Sequence, residues 1–143
     1  MTVAAILNDK GRDVVTAKAG DPLTDICAVL AERRIGAVVV TDPDGGVKGI
    51  VSERDVVRAI AREGAAALPK PVSSVMTRAV VSCAEEETVA ELMSKMTEGK
   101  FRHLPVIRGG RLVGIVSIGD VVKRRIAEAE FEARAMRDYI ATG

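Results

Sequence analysis

Aromatic residues are nearly missing from this chain: they make up 2% of it, with no Trp, one Tyr and two Phe. That scarcity removes the stacking platforms on which single-stranded nucleic-acid binders lay their bases. It also leaves the core to be built from Val, Ile, Leu, Ala and Met. Cysteine is almost as rare, and Cys27 and Cys83 are too few for a disulfide framework or an all-cysteine zinc site. The single histidine, His103, excludes a His pair on a metal and supplies no Ser–His–Asp order with motif support. Charge of one sign is not in excess either. Lys plus Arg number 21 against 20 Asp plus Glu, a formal net charge of +1, which argues against a strongly basic nucleic-acid binder and an acidic solvating tail. No apolar run approaches the ~20 residues of a membrane span, and no signal-peptide pattern opens the chain. Neither a P-loop nor a G-x-G-x-x-G fingerprint is present, and the glycines of the stretch Gly109 to Gly114 read as a hairpin. These absences predict a cytoplasmic, non-catalytic protein with reduced thiols and neither membrane nor nucleic acid as partner.

What is there is an internal repeat within 143 residues that are 48% hydrophobic. Gly49-Ile50-Val51-Ser52-Glu53-Arg54-Asp55-Val56-Val57 returns as Gly114-Ile115-Val116-Ser117-Ile118-Gly119-Asp120-Val121-Val122, identical at seven of nine positions. Upstream, Ile35-Gly36-Ala37-Val38-Val39-Val40 corresponds to Phe101-Arg102-His103-Leu104-Pro105-Val106. Further back, Leu23, Ile26, Cys27 and Leu30 correspond to Val89, Leu92, Met93 and Met96, and Val14-Val15-Thr16 to Val80-Val81-Ser82. Val3, Ile6 and Leu7 match Val72, Val75 and Met76. The offset of about 65 residues exceeds the roughly 20–50-residue periods of solenoids, so the chain is a tandem pair.

Each copy reads as strand–helix–strand–strand–helix, an α/β (α+β-like) unit. Asp21 is placed as an N-cap with Pro22 in the first helical turn, ahead of an apolar stripe at Leu23, Ile26, Cys27 and Leu30. Ile35 to Val40 reads as a buried strand, returning after a turn at Pro43 to Gly46 as Val47 to Val51. From Ser52 the period is helical again, with Val56, Val57 and Ile60 on one face. The predicted division is residues 3–63, a linker over 64–74, residues 75–127, and a helical extension over 128–143. A unit of ~60 residues buries too little to stand alone comfortably. Two such units are therefore expected to pack sheet to sheet about a pseudo-twofold axis, share one core, and form paired clefts.

The repeat, the order of elements and the motif Gly-h-h-Ser-x-x-Asp (h, hydrophobic), present as Gly49, Ser52, Asp55 and as Gly114, Ser117, Asp120, resemble a stand-alone pair of CBS domains, the regulatory module named after cystathionine β-synthase. The resemblance runs from about Val3 to Ile126. It implies clefts that bind AMP, ADP, ATP or NAD, with Asp55 and Asp120 on ribose hydroxyls and Ser52 and Ser117 on ribose or phosphate. A carboxylate suits a diol because charge-assisted hydrogen bonds are roughly twice as strong as neutral ones, and it would repel a 2′-phosphate. By the same resemblance the adenine lies between Ile35-Gly36-Ala37 and the Ser82 segment or its counterpart Thr16. Basic residues at the Arg102 and His103 positions reach phosphates, with Phe101, Leu104 and Pro105 completing that strand entry. Lys100 adds to the basic set, which belongs to the second copy alone, so the two clefts should differ. Arg54, opposite Gly119 in the repeat, either meets phosphate or pairs with Glu53 or Glu32.

Ser52-x-x-Asp55 and Ser117-x-x-Asp120 also have capping-box spacing, which needs no ligand. Three function classes therefore stand: an adenine-nucleotide sensor, a ligand-independent dimeric scaffold acting on a protein target, and a nucleic-acid regulator disfavoured by the near-zero charge. Cys27, Met93 and Met96 read as helical core, and Cys83 as a loop residue without function. Val122, Ile126, Ala129, Ala133, Met136 and Ile140 follow heptad spacing, which serves either a homodimer contact or a stripe folded back on the module.

Overall fold

The computed structural model describes residues 1–142. Helix α1 (Val3–Lys10) leads to strand β1 (Thr16–Ala17), helix α2 (Leu23–Arg33), strands β2 (Ala37–Thr41) and β3 (Val47–Ser52), and helix α3 (Glu53–Glu63). Two short 3-10 turns, Gly64–Ala67 and Val72–Ser74, then lead to α4 (Val89–Gly99), β4 (His103–Arg108), β5 (Arg111–Ser117) and the long α5 (Ile118–Thr142). In the first half, β1 runs parallel to β2 and β2 antiparallel to β3, giving the sheet order β1-β2-β3. The second half repeats the hairpin, with β4 antiparallel to β5. The expected first strand of the second copy is reduced to one parallel bridge, Cys83 to Val106. Both hairpins carry an irregularity at the same place, after Val40 and after Val106. The tighter second turn uses Gly109 and Gly110 at φ 58° and 77°, the left-handed pair that a two-residue hairpin loop needs.

The strands of each hairpin are covered on both faces. Along β2, Val38 and Val40 enter the first apolar cluster with Leu23, Ile26, Leu30, Val51 and Val56. Ala37 and Val39, on the opposite face by alternation, are buried as well. Along β4, Leu104 and Val106 enter the second cluster, while Pro105 is buried on the other face. Those opposite faces meet across the molecule: Gly36 lies against the His103 imidazole, and the Leu112 N–H donates to the Gly45 carbonyl at 3.3 Å. The units thus pack sheet to sheet as expected, but each keeps its own helix-covered cluster rather than sharing one core.

The segment before each repeat packs on the other repeat. Val3, Ile6 and Leu7 of α1 join Leu92, Leu104 and Val116 in the second cluster, whereas Val72 and Met76 join the first. A close approach makes this possible on each side. Glycine at 49 admits Met76, and glycine at 114 admits Leu7; a β-carbon at either position would stand 2.6 Å from Met76 Sδ or 2.8 Å from Leu7 Cδ2.

Several local expectations are corrected. The N-cap of α2 is Pro22, and Asp21 instead accepts the Lys18 N–H at 2.9 Å, closing the preceding turn. Val57 and Ile60 are exposed, because α3 faces the core with Val56 and Ala59. Met93 is exposed, whereas Cys83 is buried in the second cluster rather than lying in an open loop. Burial and the nearby Glu87 carboxylate push the Cys83 thiol up to about 12. Cys27 is half-buried against the first cluster.

Candidate functional site

A cavity of about 670 Å³ opens where the start of α3 faces the strand entry of the second half. One wall is Ser52, Glu53, Arg54, Asp55 and Arg58 from the end of β3 and the first turns of α3. The facing wall is Lys100, Phe101, Arg102 and His103, with Ser117 beyond. Thr77 and residues 79–81 form the third side, and Gly36 the floor near His103.

Helix α3 starts here because Ser52 caps it. The Ser52 hydroxyl accepts the Asp55 N–H at 3.3 Å, and Asp55 Oδ2 takes both the Ser52 N–H at 2.8 Å and the Ser52 hydroxyl at 3.2 Å. The capping box is therefore real, and it engages one carboxylate oxygen. Among the described residues, Asp55 Oδ1 accepts one hydrogen bond, from the Thr77 hydroxyl at 3.5 Å. Capping and ligand binding are thus compatible in one side chain. The backbone at the helix start is less available to an anion than the motif suggests, because the Glu53 N–H already donates to the Gly36 carbonyl at 3.0 Å.

Four cations, Arg54, Arg58, Lys100 and Arg102, stand around this cavity against the carboxylates Glu53 and Asp55. Arg54 reaches across the cleft, its Nη1 3.5 Å from the Lys100 carbonyl. That carbonyl is presented by Lys100 in the left-handed region at φ 56°, a strained setting for a residue with a β-carbon. Arg34, its counterpart in the repeat, has φ 54°. Burial holds the His103 imidazole below its usual range; Lys10 and Arg102 act in the same direction, against Glu53 and Asp120.

The cavity gathers Gly36, Ser52, Arg54, Asp55, Phe101, Arg102, His103 and Ser117 from the predicted set. Others lie elsewhere. Thr16 is exposed on β1, opposite Val39 in the register. Ile35 and Ala37 pack into the interior. The Ser82 carbonyl is held by Lys95 Nζ at 3.0 Å. Leu104 is core, and Pro105 is buried opposite Ile115. Asp120 repeats the cap, accepting the Ser117 N–H at 2.8 Å and the Ser117 hydroxyl at 3.0 Å, but it is not on the cavity wall. Its carboxyl feels burial, which raises it, and hydrogen bonds from Lys10 and Ser117, which win and hold it below the usual aspartate range. Sequence reasoning missed Arg58, Thr77 and the 79–81 segment. Arg58 was findable, since it stands four residues after Arg54 on the same helical face.

Comparison with known proteins agrees with this architecture. The family model of the CBS domain matches residues 5–62 and again 72–127. The chain belongs to the CBS-domain family. A crystal structure of a CBS-domain containing protein from Agrobacterium tumefaciens is 51% identical, with a TM-score of 0.85 over 87% of this chain and 99% of that one. A mitochondrial CBS domain-containing protein of Arabidopsis thaliana is 29% identical over 99% of this chain and 73% of its own length. Other Arabidopsis relatives are matched along only 20–22% of theirs. A CBS domain protein from Pyrobaculum aerophilum, solved in complex with AMP, is 27% identical with a TM-score of 0.75, over 84% of this chain and 89% of that one. Among the described residues no helix is long and apolar enough to cross a membrane.

Proposed function

We propose that this CBS pair is a non-catalytic, cytoplasmic regulatory module that binds an adenosine nucleotide, AMP, ADP, ATP or NAD, and signals energy or redox state. The observation that carries the proposal is Asp55: it lines a cavity of about 670 Å³ with four basic side chains around the same space, and its Oδ1 is left free of the helix cap, with the Thr77 hydroxyl at 3.5 Å. A ribose diol on Asp55 leaves its phosphates among Arg54, Arg58, Lys100 and Arg102. The solved relative carrying AMP supports the class of ligand. Signalling requires the nucleotide to bind two conformations unequally, and Arg54, which spans the cleft to Lys100, is the contact such a ligand would rearrange.

Calorimetric titration of protein stripped by unfolding and refolding, with AMP, ADP, ATP, NAD and NADP, tests the proposal. Binding with NADP excluded is expected. Asp55→Asn keeps the shape and removes the charge, and should weaken binding about ten- to a hundredfold, the equivalent of one charge-assisted hydrogen bond at ~1.5–3 kcal/mol. Undiminished affinity in that variant would remove Asp55 from the site.

A second function is favoured by one observation of its own. Ile126, Met136, Tyr139 and Ile140 leave apolar side chains exposed along α5, as a homodimer contact or the docking face of a protein target requires. A ligand-independent scaffold follows if all five nucleotides fail to bind the folded protein.

A further inference from the structure

Helix α5 turns one face to the module and another away from it. Val121 is buried and Arg124 and Glu128 are half-buried, which marks the face that packs. Val122, Ile126, Ala129, Ala133, Met136 and Ile140 lie about 130° around the helix from it, at 3.6 residues per turn, and all are exposed.

The residues beside this stripe carry charge in an order that fits itself. With the stripe at the a and d positions of a heptad, Lys123, Glu130 and Arg137 fall at e, and Arg125, Glu132 and Tyr139 at g. In a parallel, in-register pair of helices each g residue meets the e residue five positions on in the other chain. That sets Arg125 against Glu130 and Glu132 against Arg137, each pair occurring twice by symmetry. Among the described residues, Glu130, Glu132 and Arg137 make no ion pair within the chain, and Arg125 pairs with Glu128 alone, at 3.2 Å and more than half exposed. In an antiparallel pair e meets e and g meets g. One such register sets Glu130 against Glu130 and Lys123 against Arg137, like charges throughout. Shifting by a heptad restores opposite charges. One shift, however, puts Met136 opposite Gly119 and Ile140 opposite Ile115 in β5, and the other pairs the stripe only from Ala129 onward.

Resting on the homodimer contact proposed above, we infer that α5 forms a parallel, in-register coiled coil with α5 of a second copy, selected by Arg125–Glu130 and Glu132–Arg137. A charge order complementary to itself fits a second copy of this chain better than an unrelated helix, which places no such demand on these residues. The alanine layers at 129 and 133 bury little, so the stripe is too weak to pair two free peptides. Here α5 does not start free. Val121 in the second cluster and Arg124 on Asp9 at 2.9 Å fix its first turns, so the nucleation cost of an isolated helix is already met.

Disulfide trapping in the full chain tests the register. Residues 129 and 136 face their own copies in the parallel pair, so Ala129→Cys and Met136→Cys should each give a covalent dimer under mild oxidation. The antiparallel registers bring at most one of these two positions near its own copy. Phe131→Cys, at an outer heptad position, should not trap, nor should the wild type with Cys27 and Cys83. Glu132→Arg should weaken the dimer about tenfold by sedimentation, and adding Arg137→Glu should restore it. A dimer that traps at one of the two sites or at neither overturns the parallel coil and leaves the homodimer contact standing. A double variant no tighter than the single one does the same. Trapping through Phe131→Cys as readily as through Met136→Cys marks collision instead of pairing, and also overturns the coil. A wild-type chain that stays monomeric at the highest concentration measured overturns both.

Discussion

Asp120 shows how one carboxylate oxygen can serve a local helix cap and a long-range ion pair at once. Its carboxylate caps α5 through Ser117 and pairs with Lys10 at 2.7 Å. Burial raises its pKa, but the lysine and serine hydrogen bonds outweigh that and leave it depressed in the folded protein. A depressed aspartate contributes stability that is complete above its unfolded pKa, about 3.9, and is lost as pH falls through the lower folded value. Lys10→Met should therefore cost on the order of 0.5–1 kcal/mol near neutral pH. That gap should stay flat well above the unfolded aspartate value and close as pH falls below it, where the folded carboxyl is protonated in its turn. Urea unfolding of the two proteins across this range checks it, and a gap that widens in acid would contradict the pairing. The Ser–Asp spacing was legible in the sequence because a cap is local. The Lys10 partner was not, since it lies 110 residues from Asp120 and outside the repeated motif.

At the scale of elements, the glycine that opens each motif is a packing residue before it is anything else. A β-carbon at Gly49 would stand 2.6 Å from Met76 Sδ and 2.9 Å from the Thr77 carbonyl. That carbonyl accepts the Ile50 N–H at 3.0 Å and cannot yield without losing the bridge. At Gly114 the nearest atoms are the flexible end of Leu7, 2.8 Å away. Overpacking of this kind costs about 1–3 kcal/mol, so Gly49→Ala should lower the urea midpoint clearly and Gly114→Ala by less. Equal losses would show that the Thr77 backbone does not matter. Helices and hairpins were readable from period and turn chemistry, and the buried stripe Leu23, Ile26, Leu30 is as expected. The errors arose where a partner element decides. Asp21 has the chemistry of a cap but was drawn into the Lys18 turn. The α3 face could not be chosen from Val56, Val57 and Ile60 alone, because Ala59 is what fits beneath. In the second copy, residues 80–82 have strand composition, yet only Cys83 finds a pairing partner.

Across the whole molecule, the exchange of leading segments joins the halves more firmly than a linker would. Val3, Ile6 and Leu7 are 0%, 4% and 1% exposed within the second cluster, although they precede the first repeat. Full burial of such a side chain stabilises by ~1.5–3 kcal/mol. Removing residues 1–10 therefore forfeits on the order of 5–9 kcal/mol, most of the ~5–15 kcal/mol that keeps a domain folded. The truncated chain should lose its cooperative urea transition. The other end of the molecule sets the contrast. Beyond residue 127, Phe131, Met136, Tyr139 and Ile140 are 63–74% exposed, so they add little to either cluster. Met136 and Ile140 belong to the heptad stripe, which leaves these side chains exposed instead of folding them back on the module, and the homodimer contact proposed above would use it. A chain ending at residue 127 should keep its urea midpoint at high dilution, where no dimer contributes by mass action. Its light-scattering mass at high concentration should fall from two chains to one. A tail-less protein that still scatters as a dimer would move the contact off α5. A ten-residue N-terminal deletion that unfolds cooperatively at the wild-type midpoint would mean that the exchanged helix is not what holds the second half.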